Sequence, residues 1–256
     1  MPINVSNLQK PEPQSFRPGT TGIANTLYSH FERSTSGRVQ RAVYASGLTE
    51  CARMQGFSLM GFKRATTSLQ AAHPEWAVVA EVGNRLHEMI LSALEELGVL
   101  VEDEFTVRSE DGTLVGRVDG RLKLADGREL LLDIKTVKGA DFKKGSSAPK
   151  FNTYRAQLSV YCRILGLTDA VVLLVNRDSG EWDEYEFTVD PAYADSLLAR
   201  AASIYRLATA RVVDEPEVWG SFFCTAFCPF YRQCAAQNAD GSVQADLDAG
   251  LVAEDI

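Results

Sequence analysis

The stretch that decides the fold is residues 113–137, TLVGRVDGRLKLADGRELLLDIKTV. Apolar and polar residues alternate on both sides of Asp126-Gly127, which predicts two β-strands joined in a hairpin. Each strand then has one apolar face and one polar face, because successive side chains point to opposite sides of a strand. The apolar faces of the two strands must align, so the turn has to set the correct register.

The length of the hairpin loop determines which residues face each other. A two-residue turn at Asp126-Gly127 would pair Asp119 with Ile134 and set polar residues against apolar ones along the whole hairpin. A three-residue loop, with Gly127 in the left-handed conformation of a bulge, pairs Asp119 with Asp133 instead. We therefore predict the odd-length loop, or an equivalent bulge. Two facing carboxylates repel each other unless a cation neutralises them, so the hairpin predicts a divalent metal site.

Helical and strand patterns alternate around this hairpin. Apolar residues at three- and four-residue spacing predict a helix over residues 75–97, with Gly98 placed to end it. Further helices are predicted over residues 48–60, 153–165 and 191–211, and further strands over residues 100–108, 170–176 and 182–189. Helix, three strands, helix, strands and helix in this order are typical of an α/β protein.

Composition excludes several classes of protein. Of the 256 residues 45% are hydrophobic, which is enough for a buried core and excludes a chain disordered throughout. No apolar run approaches the roughly 20 residues of a membrane-spanning helix, and the N-terminus is polar and rich in proline, so no secretory signal is expected. We therefore expect a cytoplasmic protein without a membrane partner.

The net charge of -8 argues against a nucleic-acid partner, but the charge is unevenly distributed. Five of the eight net negative charges lie in residues 235–256, which contain five acidic and no basic residues and read as a solvated tail. Basic residues cluster in residues 33–64 and 135–155. A basic stretch is often only a solvated face, but here we predict phosphate contacts from these stretches. The candidates are Arg38, Arg41, Arg53, Lys143, Lys144 and Lys150.

Four of the five cysteines are spaced as a ligand set. Cys224, Cys228 and Cys234 form a C-x3-C-x5-C motif, and Cys51 lies far upstream. Four thiolates are what a [4Fe–4S] cluster or a structural zinc site requires, and both remain open. Inert core thiols are the alternative for these four. Cys162 falls within the apolar helical pattern of residues 153–165, so we predict that it is a buried core thiol.

Three further features are candidates for the same chemistry. Lys135 lies two residues after Asp133 and on the same strand face, where its ammonium can orient water or stabilise charge on an attacked phosphate. His87 lies on the helix of residues 75–97 and can add a neutral imidazole to a metal shell, although a histidine at the border of an apolar stripe is more often a core residue. Gln157 and Tyr161 share one helix face and could reach a substrate strand together, or pack in the core.

Together these motifs resemble the PD-(D/E)XK nuclease superfamily, and specifically its RecB-like branch with the iron–sulfur CRISPR-associated exonucleases and the AddAB-type nuclease domains. The resemblance covers residues 51–234. It implies a restriction-endonuclease-like core with a central mixed sheet flanked by helices, and an iron–sulfur subdomain joining the N- and C-terminal segments. Two departures are the C-x3-C spacing, where relatives more often have C-x2-C, and Asp133, which has a shorter reach than glutamate.

The resemblance assigns a role to each motif residue. It implies catalytic roles for Asp119, Asp133, Lys135, Gln157 and Tyr161. It implies that Mg²⁺ or Mn²⁺ is held by His87, Asp119, Asp133 and the backbone carbonyl of Ile134. It implies a [4Fe–4S] cluster on Cys51, Cys224, Cys228 and Cys234, with zinc as the alternative suggested by the altered spacing.

The expected organisation has five parts. They are an irregular arm over residues 1–40, the first part of the cluster subdomain over 41–74, the nuclease core over 75–213, the second cluster segment over 214–236 and a flexible acidic tail over 237–256.

The expected function is that of a metal-dependent exonuclease acting on single-stranded DNA or DNA ends, in recombination, repair or CRISPR-type processing in a bacterial, archaeal or phage-infected cell. No Walker-type phosphate-binding motif occurs in the sequence, so a helicase, recombinase or integrase partner is expected. One alternative is an iron–sulfur DNA-binding or adaptor protein of an integration or recombination complex, with weak or no nuclease activity. A zinc-stapled structural module is a more distant one.

Overall fold

The computed structural model describes residues 26–28, 30, 31, 40–65, 67, 69, 72, 73, 75–213, 217 and 222–240, without the side chains of 236–240. Within these residues the chain forms six strands, namely β1 (Val43–Tyr44), β2 (Leu100–Arg108), β3 (Leu114–Lys123), β4 (Glu129–Val137), β5 (Asp169–Asn176) and β6 (Trp182–Thr188). The helices are α1 (Ala52–Leu59), α2 (Glu75–Glu96), α3 (Gly139–Phe142), α4 (Phe151–Leu165), α5 (Pro191–Thr209), α6 (Phe222–Ala226) and α7 (Tyr231–Asp240).

All six strands join one mixed sheet. The strand order is β1-β3-β4-β5-β6, and β2 also pairs with β3. The pairs β1–β3 and β4–β5 are parallel, whereas β2–β3, β3–β4 and β5–β6 are antiparallel. Parallel β4 and β5 need a crossover, and α4 supplies it. The predicted α/β class with a central mixed sheet is therefore confirmed.

Helices cover both faces of the sheet. On one face, α2 places Ile90 and Leu91 against apolar residues of β3, β4 and β5. On the other face, α4 and α5 pack over β3, β4 and β5 in a larger core that includes Leu158 and Ala201. Because β4 and β5 are covered on both faces, they carry the nearly continuous apolar runs expected of buried parallel strands.

The β3–β4 hairpin has the predicted register. Lys123 pairs with Glu129 and Gly120 with Leu132, which is the register in which Asp119 and Asp133 would be the next partners, although the ladder ends at Gly120. The three-residue loop is closed by the N–H of Leu124 donating to the carbonyl of Arg128 at 2.9 Å. Gly127 in that loop has a φ of 88°, the left-handed conformation that glycine adopts without strain. The odd-length loop is confirmed.

Most predicted elements are present with small changes at their ends. The first helix begins at Ala52 because residues Ala45–Gly47 form a short 3-10 turn. Strand β1 and helix α3 were not predicted, since two and four residues are too short to show a period. Residues 237–240, placed in the predicted tail, continue α7. No helix in the described ranges is long and apolar enough to cross a bilayer.

Candidate active site and cysteine cluster

The site lies where β3 and β4 separate. The two strands pair over Gly120–Lys123, after which β4 stays beside β5 to Val137 while β3 stays beside β2. At the separation, the N–H of Ile134 donates to Asp119 Oδ2 at 2.7 Å, so a side chain replaces the missing strand carbonyl. This bond holds the Asp119 carboxylate in the gap between the strands.

Asp133 and Lys135 form a close pair beside this gap. Lys135 Nζ lies 2.6 Å from Asp133 Oδ1, and the Asp133 side chain is only 3% exposed. The other carboxylate oxygen, Oδ2, is buried and has no hydrogen-bond partner within the described residues. Burial raises the pKa of Asp133 to about 6, with Lys135 opposing the shift and Asp119 adding to it. Burial lowers the pKa of Lys135, but Asp133 and Asp119 more than compensate, so its net pKa is raised.

His87 approaches Asp119 from the α2 side of the sheet. Its Nδ1 lies 3.7 Å from Asp119 Oδ2. Burial lowers the pKa of His87, and Asp119 only partly reverses the shift. A neutral imidazole beside a carboxylate is suited to metal ligation, because a protonated ring has no lone pair to offer. Gly83, one turn earlier, lies against β4, where a Cβ would stand 3.0 Å from Thr136 Oγ1.

Gln157 and Tyr161 lie inside the protein instead of at its surface. Tyr161 is 2% exposed and Gln157 is 8% exposed. A Cβ at Gly116 would lie 1.9 Å from the Tyr161 hydroxyl, so the ring packs directly beneath β3. Burial raises the pKa of Tyr161, with hydrogen bonds involving Gln157 and the Arg117 backbone opposing the shift. This placement fits the core-packing alternative, in which the pair supports β3, and the catalytic role of Gln157 and Tyr161 stays a prediction.

Tyr154 is a site residue that the sequence reasoning missed. Lys135 Nζ lies 5.2 Å from the centre of the Tyr154 ring, within the range of a cation–π interaction. The signal was available, because Tyr154, Gln157 and Tyr161 stand three and four residues apart and so share one face of α4. Lys135 is therefore held by Asp133 on one side and by an aromatic ring on another.

The donors at the separation fit a hard divalent cation. Two carboxylates and a neutral imidazole are present, and the unpartnered Asp133 Oδ2 needs a cation or donor to offset its burial. Within the described ranges, no three His, Cys, Asp or Glu side chains are already arranged as a metal site. The ligands are instead organised in pairs, His87 with Asp119 and Asp133 with Lys135. Ligation by these residues and by the carbonyl of Ile134 stays a prediction.

Cys51 lies near the three C-terminal cysteines, although the four thiols of these described residues are not arranged as a metal site. Cys51, Cys228 and Cys234 border an apolar cluster built around Phe57 and Phe230. Burial is the main reason for the raised pKa of Cys228, and the neighbouring thiols of Cys234, Cys224 and Cys51 raise it further. The upstream cysteine is therefore close enough to the C-terminal three to interact with them electrostatically.

The fifth cysteine is separate from this group. Cys162 is fully buried within the larger core, and burial raises its pKa to about 12. The predicted core thiol is confirmed.

Most of the residues predicted to contact phosphate are exposed in the structure, but one of them is buried. Arg41, Lys143, Lys144 and Lys150 are exposed, and Lys144 Nζ pairs with Asp141 at 2.8 Å. Arg38 lies outside the described residues. Arg53 does not fit a phosphate contact, because it is only 7% exposed and its Nη1 donates to Cys234 Sγ at 3.4 Å. Its position after Cys51 on α1 directs it into the cysteine cluster.

Comparisons of sequence find no matching family model and no matching curated protein. Comparison of structures finds similar folds. The crystal structure of SSO0001 has a TM-score of 0.50 and 18% identity, covering 84% of this chain and 96% of that one. At such low identity this likeness shows a shared fold.

Three exonuclease structures are also similar. An alkaline exonuclease, LHK-Exo, from Laribacter hongkongensis has a TM-score of 0.47 and 12% identity over 82% of this chain and 99% of its own. LHK-Exo in complex with dAMP has a TM-score of 0.49 and 14% identity over 66% and 89%. A phage-related exonuclease from Haemophilus somnus has a TM-score of 0.47 and 13% identity over 66% and 94%. Because their TM-scores are under 0.5, these three structures do not assign a function to this chain.

Proposed function

We propose that this chain is a metal-dependent nuclease of the PD-(D/E)XK superfamily that hydrolyses phosphodiester bonds in DNA. The observation that carries the proposal is the buried Asp133 carboxylate, which has an unpartnered oxygen beside Asp119 and an ammonium, from Lys135, on its other oxygen. Burying such an oxygen without a partner is unfavourable unless a ligand compensates for it. A divalent cation held by Asp133, Asp119, His87 and the Ile134 carbonyl would do so.

The roles of the protein groups follow from their positions. When bound, Mg²⁺ or Mn²⁺ would polarise the phosphate and lower the pKa of a water molecule. Asp119 is fixed by the Ile134 N–H, so its carboxylate is pre-oriented before any ligand arrives. Lys135 carries its charge at neutral pH, which suits it to stabilising negative charge that develops on the phosphate. Tyr154 and Asp133 restrict where that ammonium can point.

We propose single-stranded DNA or DNA ends as the substrate. Exposed Arg41, Lys143 and Lys150 supply positive charge suited to a phosphate backbone. A chain without its own Walker motif would receive opened strands from a helicase, or act with a recombinase or integrase. We place this activity in the cytoplasm, where a reducing environment keeps thiols available as ligands.

We further propose that Cys51, Cys224, Cys228 and Cys234 hold a [4Fe–4S] cluster that joins the two ends of the chain. The mutual electrostatic effect of these thiols supports a four-sulfur site, and the apolar residues around them suit a buried cluster. Arg53 adds a cationic hydrogen bond to one ligand sulfur. Zinc on the same four thiols is the alternative, and iron and zinc analysis of protein purified without oxygen separates the two.

The activity is tested with end-labelled single-stranded DNA and Mn²⁺. We expect degradation by the wild-type protein and its loss in Asp119→Asn and Lys135→Met. Lys123→Met is the matched control, since Lys123 is an exposed lysine on β3 whose ammonium lies 3.9 Å from Glu129. Binding without cleavage by the wild-type protein would contradict the nuclease and favour the DNA-binding or adaptor protein.

A further inference from the structure

The backbone around Cys51 is held in place by two residues that are not cysteines, Arg200 and Glu217. Arg200, on α5, reaches back to the turn before Cys51 across 150 residues of sequence. Its Nε donates to the carbonyl of Leu48 and its Nη2 to the carbonyl of Glu50, both at 2.9 Å. Because α5 packs in the larger core through Ala201 and Ile204, the turn is tied to the nuclease core.

Glu217 completes this arrangement from the C-terminal side. Its carboxylate is bound by Arg200 in a bidentate manner, with Nη1 to Oε1 at 2.6 Å and Nη2 to Oε2 at 2.9 Å. Oε2 also accepts a hydrogen bond from the N–H of Ala52 at 3.1 Å. The hydrogen bond from Arg200 is the main cause of the lowered pKa of Glu217. Glu217 stands seven residues before Cys224, so the pair links both cysteine segments.

The two partners bracket Cys51 itself. Arg200 holds the carbonyl of the residue before it, and Glu217 holds the N–H of the residue after it. Cys51 is the N-cap of α1, yet its side chain makes no capping hydrogen bond. N-cap side chains usually satisfy the first N–H groups of a helix, and Glu217 performs that task here. The Cys51 thiol therefore does not cap the helix and is available to bind a metal.

We propose that Arg200 and Glu217 form a metal-independent clamp that holds the Cys51 segment near Cys224, Cys228 and Cys234 before a metal or cluster binds, so that only the final arrangement of the four thiols is left to the metal. This inference rests on the proposed metal site for its purpose but not for its geometry. Arg200 and Glu217 are positioning residues, since they act through the backbone around Cys51. A site whose backbone is partly fixed beforehand binds metal more tightly, because less order has to be imposed on binding.

The clamp is tested first on metal-free, reduced protein. Diamide oxidises two nearby thiols to a disulfide and is itself reduced to the hydrazine, and peptide masses identify which cysteines are joined. We expect Cys51 to cross-link to the C-terminal three about tenfold more slowly in Glu217→Ala and Arg200→Ala, as for a lost helix cap and charged hydrogen bond. Glu217→Gln, which keeps the acceptor for Ala52, should recover part of the rate.

A matched control separates the clamp from a general loss of stability. Asp195→Ala removes another arginine–carboxylate pair of α5, in which Arg163 Nε lies 2.7 Å from Asp195 Oδ1, without touching the cysteine turn. We expect wild-type cross-linking from this variant. Unchanged cross-linking in Glu217→Ala and Arg200→Ala, or equal slowing in Asp195→Ala, would overturn the clamp.

Metal binding tests the purpose of the clamp separately. Co²⁺ titration of metal-free protein, followed by thiolate-to-cobalt absorption, should show an affinity about tenfold lower in Glu217→Ala than in wild type. Thiolate absorption absent from the wild-type protein, together with clamp-dependent cross-linking, would remove the proposed metal site and leave the clamp. Strong wild-type absorption with equal affinity in the variant would keep the metal site and overturn the clamp.

Discussion

The strand separation and the cysteine cluster are built in different ways. At the separation, Asp119, Asp133 and Lys135 lie within one hairpin and are fixed by its register. In the cluster, Cys51 meets the C-terminal cysteines through contacts between residues more than 150 positions apart. The first region is held by the sheet whether or not a ligand binds. The second region depends on long-range contacts, so loss of a cluster cysteine should lower the stability of the protein as well as abolish metal binding by the cysteines.

The largest expected effect is a loss of DNA hydrolysis in a variant that stays folded. Lys135→Met should lower DNA hydrolysis by about a thousandfold, because a preorganised charge at the reacting phosphate is lost. The unfolding free energy should fall by only about 1–3 kcal/mol, because the buried Asp133 carboxylate, left without its ammonium, can take up a proton at its raised pKa. Single-turnover hydrolysis and urea unfolding measure the two quantities on the same sample. Parallel loss of both would show that the separation is not an independent site.

The cysteine cluster should behave in the opposite way. Cys228→Ser should abolish the visible absorbance of a cluster and lower the unfolding free energy by several kcal/mol, because metal binding contributes directly to folding stability. Hydrolysis should fall only as far as the folded fraction falls. Absorbance spectra and thermal melting of anaerobically purified protein provide the measurement, with Cys162→Ala as a control that leaves the colour intact. A variant that keeps both colour and stability would rule out the cluster.

A third change tests the packing that supports β3. Gly116→Ala places a Cβ 1.9 Å from the Tyr161 hydroxyl and should lower stability by about 1–3 kcal/mol, as overpacking usually does. Adding Tyr161→Phe should recover part of that loss, since it removes the closest atom. Gly56→Ala on α1 is the control, because its Cβ would lie 3.9 Å from the nearest side-chain atom and should be tolerated. Urea unfolding of these three variants and of Tyr161→Phe alone would reveal whether the two positions are coupled.

The smallest effect is a pH dependence of the metal-free protein. The folded-state pKa of Asp133 is about 6, above that of an unfolded aspartate, so the folded form binds this proton more tightly. Asp133 should therefore add roughly 1 kcal/mol of stability as the pH falls from 7.5 to 5, and this contribution should disappear as the pH rises through 6. Melting curves of wild type and Asp133→Asn in chelator measure the difference. Identical pH profiles would contradict the burial of an unpartnered carboxylate.

Much of the sheet could be predicted from the sequence. Strand β2 has the predicted bounds, β5 and β6 each differ from prediction by one residue at one end, and β3 and β4 lie within the predicted hairpin of residues 113–137. The alternation of residues 113–137 predicted the hairpin register, because a one-residue slip would have moved every apolar side chain to the wrong face. Gly127 supplied the backbone conformation that the odd-length loop needs.

The surroundings of the predicted residues could not be derived in this way. Tyr161 shares a helix face with Gln157, but helical spacing does not reveal whether that face meets solvent or a strand. Arg53 belongs to a basic stretch, yet it turns inward to Cys234. Local charge predicted a surface role for Arg53 and helical spacing left both roles open for Tyr161, whereas packing against distant segments gave both residues internal positions.

The sequence by itself determined the α/β class and the register of the hairpin that carries Asp119 and Asp133, since both follow from a two-residue period and one glycine turn. Only the tertiary structure decided that β3 and β4 separate at Asp119, that Tyr154 lies over Lys135, and that Arg200 and Glu217 bracket Cys51. The physical reason is range. Periodicity describes a residue and its near neighbours, whereas these contacts depend on how whole elements pack after the chain has folded.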